Sequence, residues 1–534
     1  MPQEIELKLA IPGLDAASVD RALRAHPLLR QRPVQRLRLT NRYFDTPDGW
    51  LRQQRCALRI RGIAPMPQDT AGAGNTSAAR ARAAMRWEQT LKSAGQGALS
   101  VRGEWTVPLR RGVPEPAVLA TTPLADQPDW ADRANALQPV YETRCLRTLW
   151  TVRRRDGCVI EVALDVGEIR AAGRRAPLLE LELELVQGDP EALFGLAAAL
   201  GQRLPLIPAR ASKAEQAQRL ADGLLDAPVR ARNPDLPRAA DPGTVARAAL
   251  GDALGQCCDN LLLAARSDDP EAVHQARVGW RRWRSLLRLL RPWLPPPPDT
   301  TPLRPLLDAL GAVRDLDVAR TETLPAWADA FVEDAAHHPE RQRAVQRSLR
   351  ALQQAAGRER QQLRALLCQP AVVQSLLACA AWLHGVPTPI VAPESWAAQR
   401  LRRWERRLRR MLEAAAAAAS DGDPNRPATA DPPPADDTAP PSNDRAGHDA
   451  IDALHAARLL AKRLRYGAEA VAPTLSGRAA RQLLRWQRQA RTWQTRIGAQ
   501  RDLALAARWL AEHGQDAAWA AFVRGAAAAL HRAP

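Results

Sequence analysis

The chain has 534 residues, more than a single ordinary core accommodates, so two or three domains are expected. Its formal net charge of +18 favours a polyanionic partner: nucleic acid, polyphosphate, a nucleotide or a membrane surface. Seven cysteines without CxxC or metal-finger spacing argue against a disulfide framework and favour a reducing cytoplasm. No apolar window reaches the roughly 18 residues of a membrane span, which predicts a soluble protein without a membrane partner.

The first predicted strand alternates charged and apolar residues along Glu4-Ile5-Glu6-Leu7-Lys8. Because successive side chains of a strand point to opposite faces, Glu4, Glu6 and Lys8 share one face. Burying these groups costs several kcal/mol unless they meet counter-charges or a metal. The strand therefore either lines a wet, ligand-filled cavity or lies at a sheet edge with a solvated polar face. Later strands decide between the two.

Later segments repeat this charged face with the same period of two. Its members are Arg59 and Arg61, Glu88 and Lys92, Arg102 and Glu104, Arg147, Glu161 and Asp165, and Glu180, Glu182 and Glu184. Arg144 and Arg147 differ in parity, so without a bulge only one shares the charged face, and Arg147 is favoured. A solvated face would mix these charges with Ser, Thr and Gln. We therefore predict a closed, antiparallel, eight-stranded β-barrel with a charged lumen, flanking helices and a mobile insertion at residues 62–84.

Basic side chains in such a lumen suit a chain of phosphates, because Arg forks match pairs of phosphate oxygens. The predicted substrate-binding residues are Lys8, Arg59, Arg61, Lys92, Arg102, Arg147 and Lys213. Carboxylates do not bind phosphate directly, and their presence is explained if they hold Mg²⁺ or Mn²⁺. For Arg59 and Arg61, simple pairing with acids of neighbouring strands is the alternative.

Several motifs follow one another in a specific order. They are the opening strand, Arg42-Tyr43-Phe44-Asp45-Thr46, Asp165-Val166-Gly167, the run from Glu180 to Glu184, and Ser212-Lys213. Together they resemble the CYTH domain of the triphosphate tunnel metalloenzymes over nearly all of residues 1–220. The resemblance implies a metal-dependent hydrolase acting on a triphosphate in the lumen. It implies metal ligands at Glu4, Glu6, Asp165, Glu182 and Glu184, and catalytic roles for Glu4, Glu6, Lys8, Glu104 and Asp165.

The second half of the chain has a different pattern. Residues 243–534 carry Ala, Leu, Arg and Trp at helical spacing, which predicts an all-α domain. Residues 221–242 contain repeated Pro and Asp and are predicted to form a linker. The Pro, Asp and Ala tract at residues 420–447 is predicted to be a disordered insertion.

Two units of this helical half resemble each other. The segment from Val273 to Arg284 is similar to that from Leu454 to Tyr466, and each is followed by a second matching segment, Leu310 to Leu316 and Ile497 to Leu503. Similar units in the same order predict a duplicated helical bundle with a pseudo-twofold relation.

Each unit carries a basic stripe at helical spacing. The predicted polyanion-binding residues are His274, Arg277, Arg281, Arg284, Arg288, His455, Arg458, Lys462 and Arg465. A solvated basic face is the ordinary alternative, and the duplication disfavours it. Metal binding by the two histidines is a second alternative, disfavoured because their neighbours are arginines rather than carboxylates. The duplicated segments resemble the CHAD domain, which is commonly joined to CYTH, and this resemblance implies inorganic polyphosphate as the ligand.

The combined prediction is a bacterial, cytoplasmic inorganic triphosphatase whose helical domain binds polyphosphate, which allows association with polyphosphate granules. One alternative is a polyphosphate scaffold without turnover, which the full set of lumenal acids disfavours. Another is a CYTH enzyme acting on a different triphosphate, of the class IV adenylate cyclase or thiamine triphosphatase type. A nucleic-acid binder is disfavoured, because no RNP, zinc-finger or helix-turn-helix signature is present.

Overall fold

The structure is a computed structural model. It describes residues 3–66, 85–93, 95, 99–127, 129–232, 234–333, 338–421, 443–513 and 516–532. Within the helices, the side chains of residues 415–421, 443–455, 493–500 and 531–532 lie outside the described part.

The described part of the first half of the chain contains nine strands. They are β1 (Gln3–Ala10), β2 (Val34–Asp45), β3 (Cys56–Pro65), β4 (Arg86–Ser93), β5 (Leu99–Leu109), β6 (Gln138–Arg153), β7 (Val159–Ala171), β8 (Arg174–Gln187) and β9 (Ile207–Pro208). The sheet order is β5-β4-β3-β2-β6-β7-β8-β1-β9, and an additional β5–β1 pairing closes eight strands into a barrel. All pairings are antiparallel, and β9 lies outside the closed ring, against β1. The predicted eight-stranded barrel is confirmed.

Strand parity divides the barrel residues between the lumen and the exterior. On β1, Glu6 and Lys8 point inward and are only 2% and 4% exposed, while Leu7 and Leu9 point outward and are fully buried. Their outer face packs into a large apolar core that continues into the helical half. This strand is therefore buried on both faces, which explains why its lumenal side can be ionic without being solvated.

Among the described residues of the barrel half there are six α-helices: α1 (Ala16–Ala25), α2 (Trp50–Gln53), α3 (Pro116–Leu119), α4 (Trp130–Asn135), α5 (Glu191–Leu200) and α6 (Lys213–Ala221). Helix α6 begins with a capping box, in which Ser212 and Glu215 satisfy each other's backbone N–H groups. Its Ala217 and Leu220 pack with Leu39 and Leu178, which have lumenal parity. The helix therefore covers one mouth of the barrel.

The second half is helical. Its helices are α7 (Pro242–Val245), α8 (Gly251–Ala264), α9 (Pro270–Leu290), α10 (Arg304–Val318), α11 (Leu324–Val332), α12 (Pro339–Leu367), α13 (Pro370–His384), α14 (Trp396–Asp421), α15 (Asn443–Val471), α16 (Gly477–His513) and α17 (Ala517–Arg532). Single π-helical turns join α7 to α8 and α10 to α11. The two predicted repeat units are α9 with α10 and α15 with α16, and α9 packs against α15.

Two predicted insertions have different boundaries in the structure. Strand β3 continues to Pro65 and pairs with β2 there, so it occupies the first residues of the predicted insertion 62–84. Helices α14 and α15 extend to Asp421 and from Asn443, inside the predicted tract 420–447. Residues 67–84 and 422–442 lie outside the described residues.

The two halves share an extensive interface. Helix α13 packs against α5, where the Gln374 side chain donates a hydrogen bond of 2.8 Å to the Ala198 carbonyl. Within the predicted linker 221–242, Val229 exchanges two hydrogen bonds with the side chain of Asn260. This part of the linker is therefore held against α8. Among the described helices no single one is long and apolar enough to cross a membrane, and α12 and α13 reach that length and apolarity only together, across a 65° bend.

Candidate functional site

The lumen brings oppositely charged side chains from seven of the described strands and α6 into direct contact. Lys8 lies at its centre, with Nζ 2.9 Å from Glu6 Oε1 and 2.8 Å from Glu182 Oε1. Although burial opposes its charge, the surrounding carboxylates raise the pKa of Lys8. Lys8 is therefore a permanent cation between two groups of acids.

One group of acids lies where β1, β4 and β5 meet. Glu4 accepts hydrogen bonds from Lys92 Nζ at 2.6 Å and from Arg102 Nε at 2.7 Å. Arg102 also contacts Glu6, and Lys92 lies 3.4 Å from Glu104. Burial opposes the charge of Glu4, but Lys92 and Arg102 lower its pKa to about 2. Conversely, burial and the nearby arginines lower the pKa of Lys92 to about 8.

The other group lies where β6, β7 and β8 meet α6. Arg147 forms a bidentate pair with Asp165, at 2.8 and 2.7 Å, and reaches Glu182 at 2.7 Å. Lys213 enters from the first turn of α6 and contacts Asp165, Glu180 and Glu182 at 2.7 to 3.0 Å. Arg147 and Lys213 overcome the effect of burial and lower the pKa of Asp165 to about 2. Bidentate arginine pairs of this kind are geometrically demanding, so this group is well ordered.

Strand β3 supplies two further cations that are less well paired. Arg61 Nε donates to Asn41 Oδ1 at 2.8 Å, and its Nη1 lies 3.4 Å from Glu88. Arg59 donates to Thr90 Oγ1 at 3.1 Å, and its Nε is buried without a hydrogen-bond partner in the described part of the chain. Buried donors normally find partners. Arg59 is thus a donor with unused capacity inside the lumen.

Glu184 is the carboxylate with the most unusual environment. It lies opposite Glu6 on β1 and opposite Glu161 on β7, and no ion pair to it occurs within the described residues. Burial, with a further contribution from Glu4, raises its pKa to about 7. A carboxylate in surplus over its neighbouring cations is the kind of group that gains from a bound divalent ion.

A second charged site lies between α9 and α15 in the helical half. Arg277 and Arg281 of α9 are half-buried beside Arg458 and Lys462 of α15. Burial, followed by Arg281 and Arg458, lowers the pKa of Lys462 to about 7. The Nε atoms of Arg281 and Arg458 are buried and lack a hydrogen-bond partner in the described part of the chain. We call this group of four residues the cation cleft.

The second helices of the two units close the cation cleft from the side. Arg501 of α16 lies 3.7 Å from Asp315 of α10, which links the two units. Arg314 of α10 lies 3.0 Å from Glu322. Both arginines also lie close enough to Arg277 to lower its pKa, after burial and Arg281, to about 10. Like-charged groups held together in this way lose repulsion when they bind an anion.

Comparisons with known families match both halves of the chain. The family model for the CYTH domain matches residues 2–217, and the model for the CHAD domain matches residues 248–511. The chain therefore contains a CYTH domain followed by a CHAD domain over these ranges. The predicted resemblance is confirmed for both halves, and the matched ranges coincide with the barrel and the helical bundle.

Individual relatives are more distant. An inorganic triphosphatase of Haemophilus influenzae is 32% identical over 220 residues, which cover 40% of this chain and 54% of that protein. The chain therefore spans about half the length of this curated relative. The CHAD domain from the plant Ricinus communis is a similar solved structure, with 24% sequence identity and a TM-score of 0.42; the match covers 57% of this chain and 91% of that one. Another is a putative adenylyl cyclase from Hippeastrum, described as having a dominant triphosphatase activity. It has 20% sequence identity and a TM-score of 0.29, and the match covers 40% of this chain and 95% of that one.

The CYTH lumen contains every predicted substrate-binding and catalytic residue. The acids and bases are ordered in two groups joined by Lys8, rather than distributed evenly. Arg147 faces the lumen, whereas Arg144 is half-exposed on the outside of β6 and pairs with Glu142. Glu104 lies at the edge of the first group, within 4.0 Å of Arg59 and 3.4 Å of Lys92.

The predicted metal ligands are divided between these groups. Among the residues that the structure describes, no three His, Cys or carboxylate side chains converge as they stand to hold a metal ion. Glu6 of β1 and Glu184 of β8 nevertheless face each other, and Glu4 lies beside Glu6 on the same face of β1. The oxygen donors of all three suit Mg²⁺ or Mn²⁺. Asp165 and Glu182 are surrounded by Arg147 and Lys213 instead. The donor chemistry therefore fits a hard cation at the first group and phosphate-binding cations at the second.

The predicted basic residues of the CHAD domain also lie in two separate places. Arg277, Arg281, Arg458 and Lys462 form the cation cleft, and Arg465 lies on the same helix, 3.7 Å from Glu469. Arg284 and Arg288 are exposed and lie instead beside Arg463, whose pKa is lowered by burial and by both of them. Burial and Arg314 lower the pKa of His274 to about 4, so it is neutral at neutral pH. The side chain of His455 lies outside the described residues.

Three residues of these sites were not predicted. Asn41 is buried and orients Arg61, and Arg314 and Arg501 complete the surroundings of the cation cleft. Asn41 carries no charge, so the period-two charge pattern contained no signal for it. Arg314 and Arg501 do occupy matching positions in the duplicated Arg-Asp-Leu segments, so the repeat contained a signal for both.

Proposed function

We propose that the CYTH domain hydrolyses inorganic triphosphate with Mg²⁺ or Mn²⁺, and that the CHAD domain binds inorganic polyphosphate. The single observation that carries the first part is the closed lumen, in which buried Lys and Arg side chains lie within hydrogen-bond distance of buried carboxylates. A cavity built only to hold an anion would not need the acids. Both signs together fit a negatively charged substrate that brings a cation with it.

The charges of the lumen explain how the residues would divide this work. Arg147, Lys213 and Lys8 are held as cations by their neighbours and would bind phosphate oxygens. Arg59, whose Nε has no partner among the described residues, would add a donor to the substrate while its Nη2 lies 3.7 Å from Glu88 and 4.0 Å from Glu104. Each of these cations already lies beside a lumenal carboxylate, so little reorganisation is needed on binding.

The first group of acids would hold the metal. Glu4, Glu6 and Glu184 supply the oxygen donors, and a cation bound there would polarise the terminal phosphoryl group and help to activate water. Binding it would also release Lys92 and Arg102 from Glu4, which makes both available to phosphate. We accordingly propose Asp165 and Glu182 as residues that position Arg147 and Lys213, rather than as metal ligands.

Phosphate release from triphosphate, ATP, thiamine triphosphate and long-chain polyphosphate, each with Mg²⁺, with Mn²⁺ and with EDTA, tests the proposal. Wild type should require metal and prefer triphosphate, and Glu6→Gln should lower turnover by at least about a hundredfold, as loss of a group aimed at the reacting charge does. Glu168→Gln, on the exterior of β7, is the matched control and should keep full activity. Metal-independent turnover, or equal loss in the control, would contradict the assignment.

Support for the second part comes from the cation cleft, where Arg281 and Arg458 each have a buried Nε donor without a partner among the described residues. A chain of phosphates provides acceptors at short, regular intervals for several such donors at once. If wild type turns over none of the four substrates but retains tight polyphosphate binding, the scaffold function becomes the better assignment. Preference for ATP or thiamine triphosphate would instead select another CYTH activity.

A further inference from the structure

The segment from Ile207 to Lys213 connects the lumen to the CHAD domain. Ile207 and Pro208 form β9 and pair with the end of β1, and the Ala209 N–H donates to the Lys8 carbonyl at 3.0 Å. Ser212 then caps α6, and Lys213 follows in its first turn. Ile207, Pro208 and Ala209 therefore have barrel contacts that hold the start of the segment leading to Lys213.

Arg210, in the middle of this segment, faces the other way. Its Nη2 donates to Asp259 Oδ2 at 2.7 Å, and its Nη1 lies 3.3 Å from Asp252 Oδ1. Both carboxylates belong to α8 of the CHAD domain, and Asp252 also accepts a 2.8 Å hydrogen bond from Arg282 of α9. The Arg210 side chain is 22% exposed and Arg282 only 6%. Arg210 is thus a partly buried link between the lumenal segment and two CHAD helices.

Gly255 of α8 leaves room for the Arg210 side chain. A Cβ atom added at Gly255 would lie 2.0 Å from Arg210 Nε and 2.2 Å from its Cδ, far inside any permitted contact. The guanidinium group therefore lies directly on the bare backbone of the helix. A Gly in a helix interior costs up to about 1 kcal/mol relative to Ala, so the residue is explained by the contact it permits.

We propose that Arg210 is a positioning residue for the lumenal Lys213, so that α8 of the CHAD domain sets the geometry of the CYTH active site. The inference rests on the proposed triphosphatase function. Lys213 contacts three carboxylates at once, and its helix begins only three residues beyond Arg210. Releasing Arg210 removes the anchor on the CHAD side of this short segment. Small misplacements of a substrate-positioning group lower reaction rates strongly.

The decisive experiment is a double-mutant cycle between Arg210→Ala and Lys213→Ala in the full-length protein. Arg210→Ala should lower kcat/KM for triphosphate by about tenfold or more. It should have less than about a twofold effect when Lys213 is already Ala, because its influence acts through that residue. Arg210→Lys should restore part of the loss, and Gly255→Ala should reproduce it by displacing the guanidinium group.

Arg266→Ala is the control for losing an exposed ion pair near this segment, since Arg266 follows α8 and pairs with Asp226 of the predicted linker at 2.9 Å. All assays are run below the unfolding midpoints of every variant, measured in parallel. Equal activity of Arg210→Ala and Arg266→Ala would overturn the inference, as would an undiminished effect of Arg210→Ala in the Lys213→Ala protein. Wild type without turnover and without calorimetric binding of triphosphate would overturn the proposed function itself, which separates the two failures.

Discussion

At the scale of single residues, burial decides which charged groups titrate near neutral pH. In the lumen most carboxylates touch cations, whereas Glu184 does not, and its pKa rises to about 7. In the cation cleft most groups are arginines that stay charged, whereas Lys462 has a pKa of about 7. Among the described residues, Glu184 and Lys92 of the lumen and Lys462 of the cation cleft therefore have pKa values between about 7 and 8, so their charges change near neutral pH.

The lowered pKa of Lys462 predicts that polyphosphate binding weakens as the pH rises. It faces Arg281 of α9, Arg458 of its own helix, and Arg501 and Asp502 of α16. Polyanions favour its protonated form, so affinity should fall by up to about tenfold between about pH 6 and 8. Calorimetric titration of polyphosphate over this range measures the effect. Lys462→Arg keeps its charge and should bind nearly independently of pH, and an equally steep profile in that variant would contradict the assignment.

The raised pKa of Glu184 predicts that its contribution to the stability of the folded protein depends on pH. Its pKa is raised in the folded protein above the ordinary value of 4.5, so folding favours the neutral carboxyl. Its contribution is fully present below about pH 4.5 and is lost as the pH rises through about 7. Urea unfolding in EDTA should therefore show wild type losing stability relative to Glu184→Gln across this window. A constant difference between the two proteins would disprove the raised pKa.

At the scale of elements, glycines mark where helices approach most closely. A Cβ atom at Gly279 of α9 would lie 2.6 Å from the Cys257 nitrogen and 2.9 Å from the Ala253 carbonyl of α8. Because both contacts are to backbone, no side-chain movement relieves them. The crossing of α8 and α9 is thus among the closest in the CHAD domain, and it supports both Asp252 and the cation cleft.

Gly279→Ala should consequently destabilise the protein by about 1–3 kcal/mol, the usual cost of overpacking. Gly357→Ala is the matched control: it lies within α12, and nothing comes within 4 Å of its added Cβ. That change should be neutral or stabilising by up to about 1 kcal/mol, because Ala favours helix. Thermal unfolding followed by circular dichroism compares the two, and similar midpoints would show that α8 and α9 separate easily.

At the scale of the whole molecule, one apolar core runs from the outer face of β1 through α5 and α13 into the helical bundle. The two charged sites are the lumen of the CYTH half and the cation cleft of the CHAD half. Contacts of Arg210, Asp252 and Arg282 connect them, and the two sites share no residue. The domains are therefore joined through a common core, while their charged sites remain separate.

Charge reversal of the cation cleft should separate the two activities. Arg277→Glu with Arg458→Glu is expected to weaken polyphosphate binding by at least about a hundredfold, since two attractive contacts become repulsive. Turnover of free triphosphate should change less than about twofold, because neither residue approaches the lumen. Arg343→Glu with Arg358→Glu, two exposed positions on α12, makes the same change in net charge. Equal binding by both double variants would exclude the cation cleft as the site.

The sequence by itself determined the closed barrel, the lumenal charges and the duplicated bundle, because each depends on a local periodicity or on repetition along the chain. Only the tertiary structure decided that Glu4 and Asp165 belong to different groups of acids. It also decided that Arg284 and Arg288 lie outside the cation cleft, and that Arg210 contacts the CHAD domain. Periodicity assigns a side chain to a face, but which face meets which neighbour depends on helix packing and strand register. Those contacts join residues far apart in sequence, where no local pattern records them.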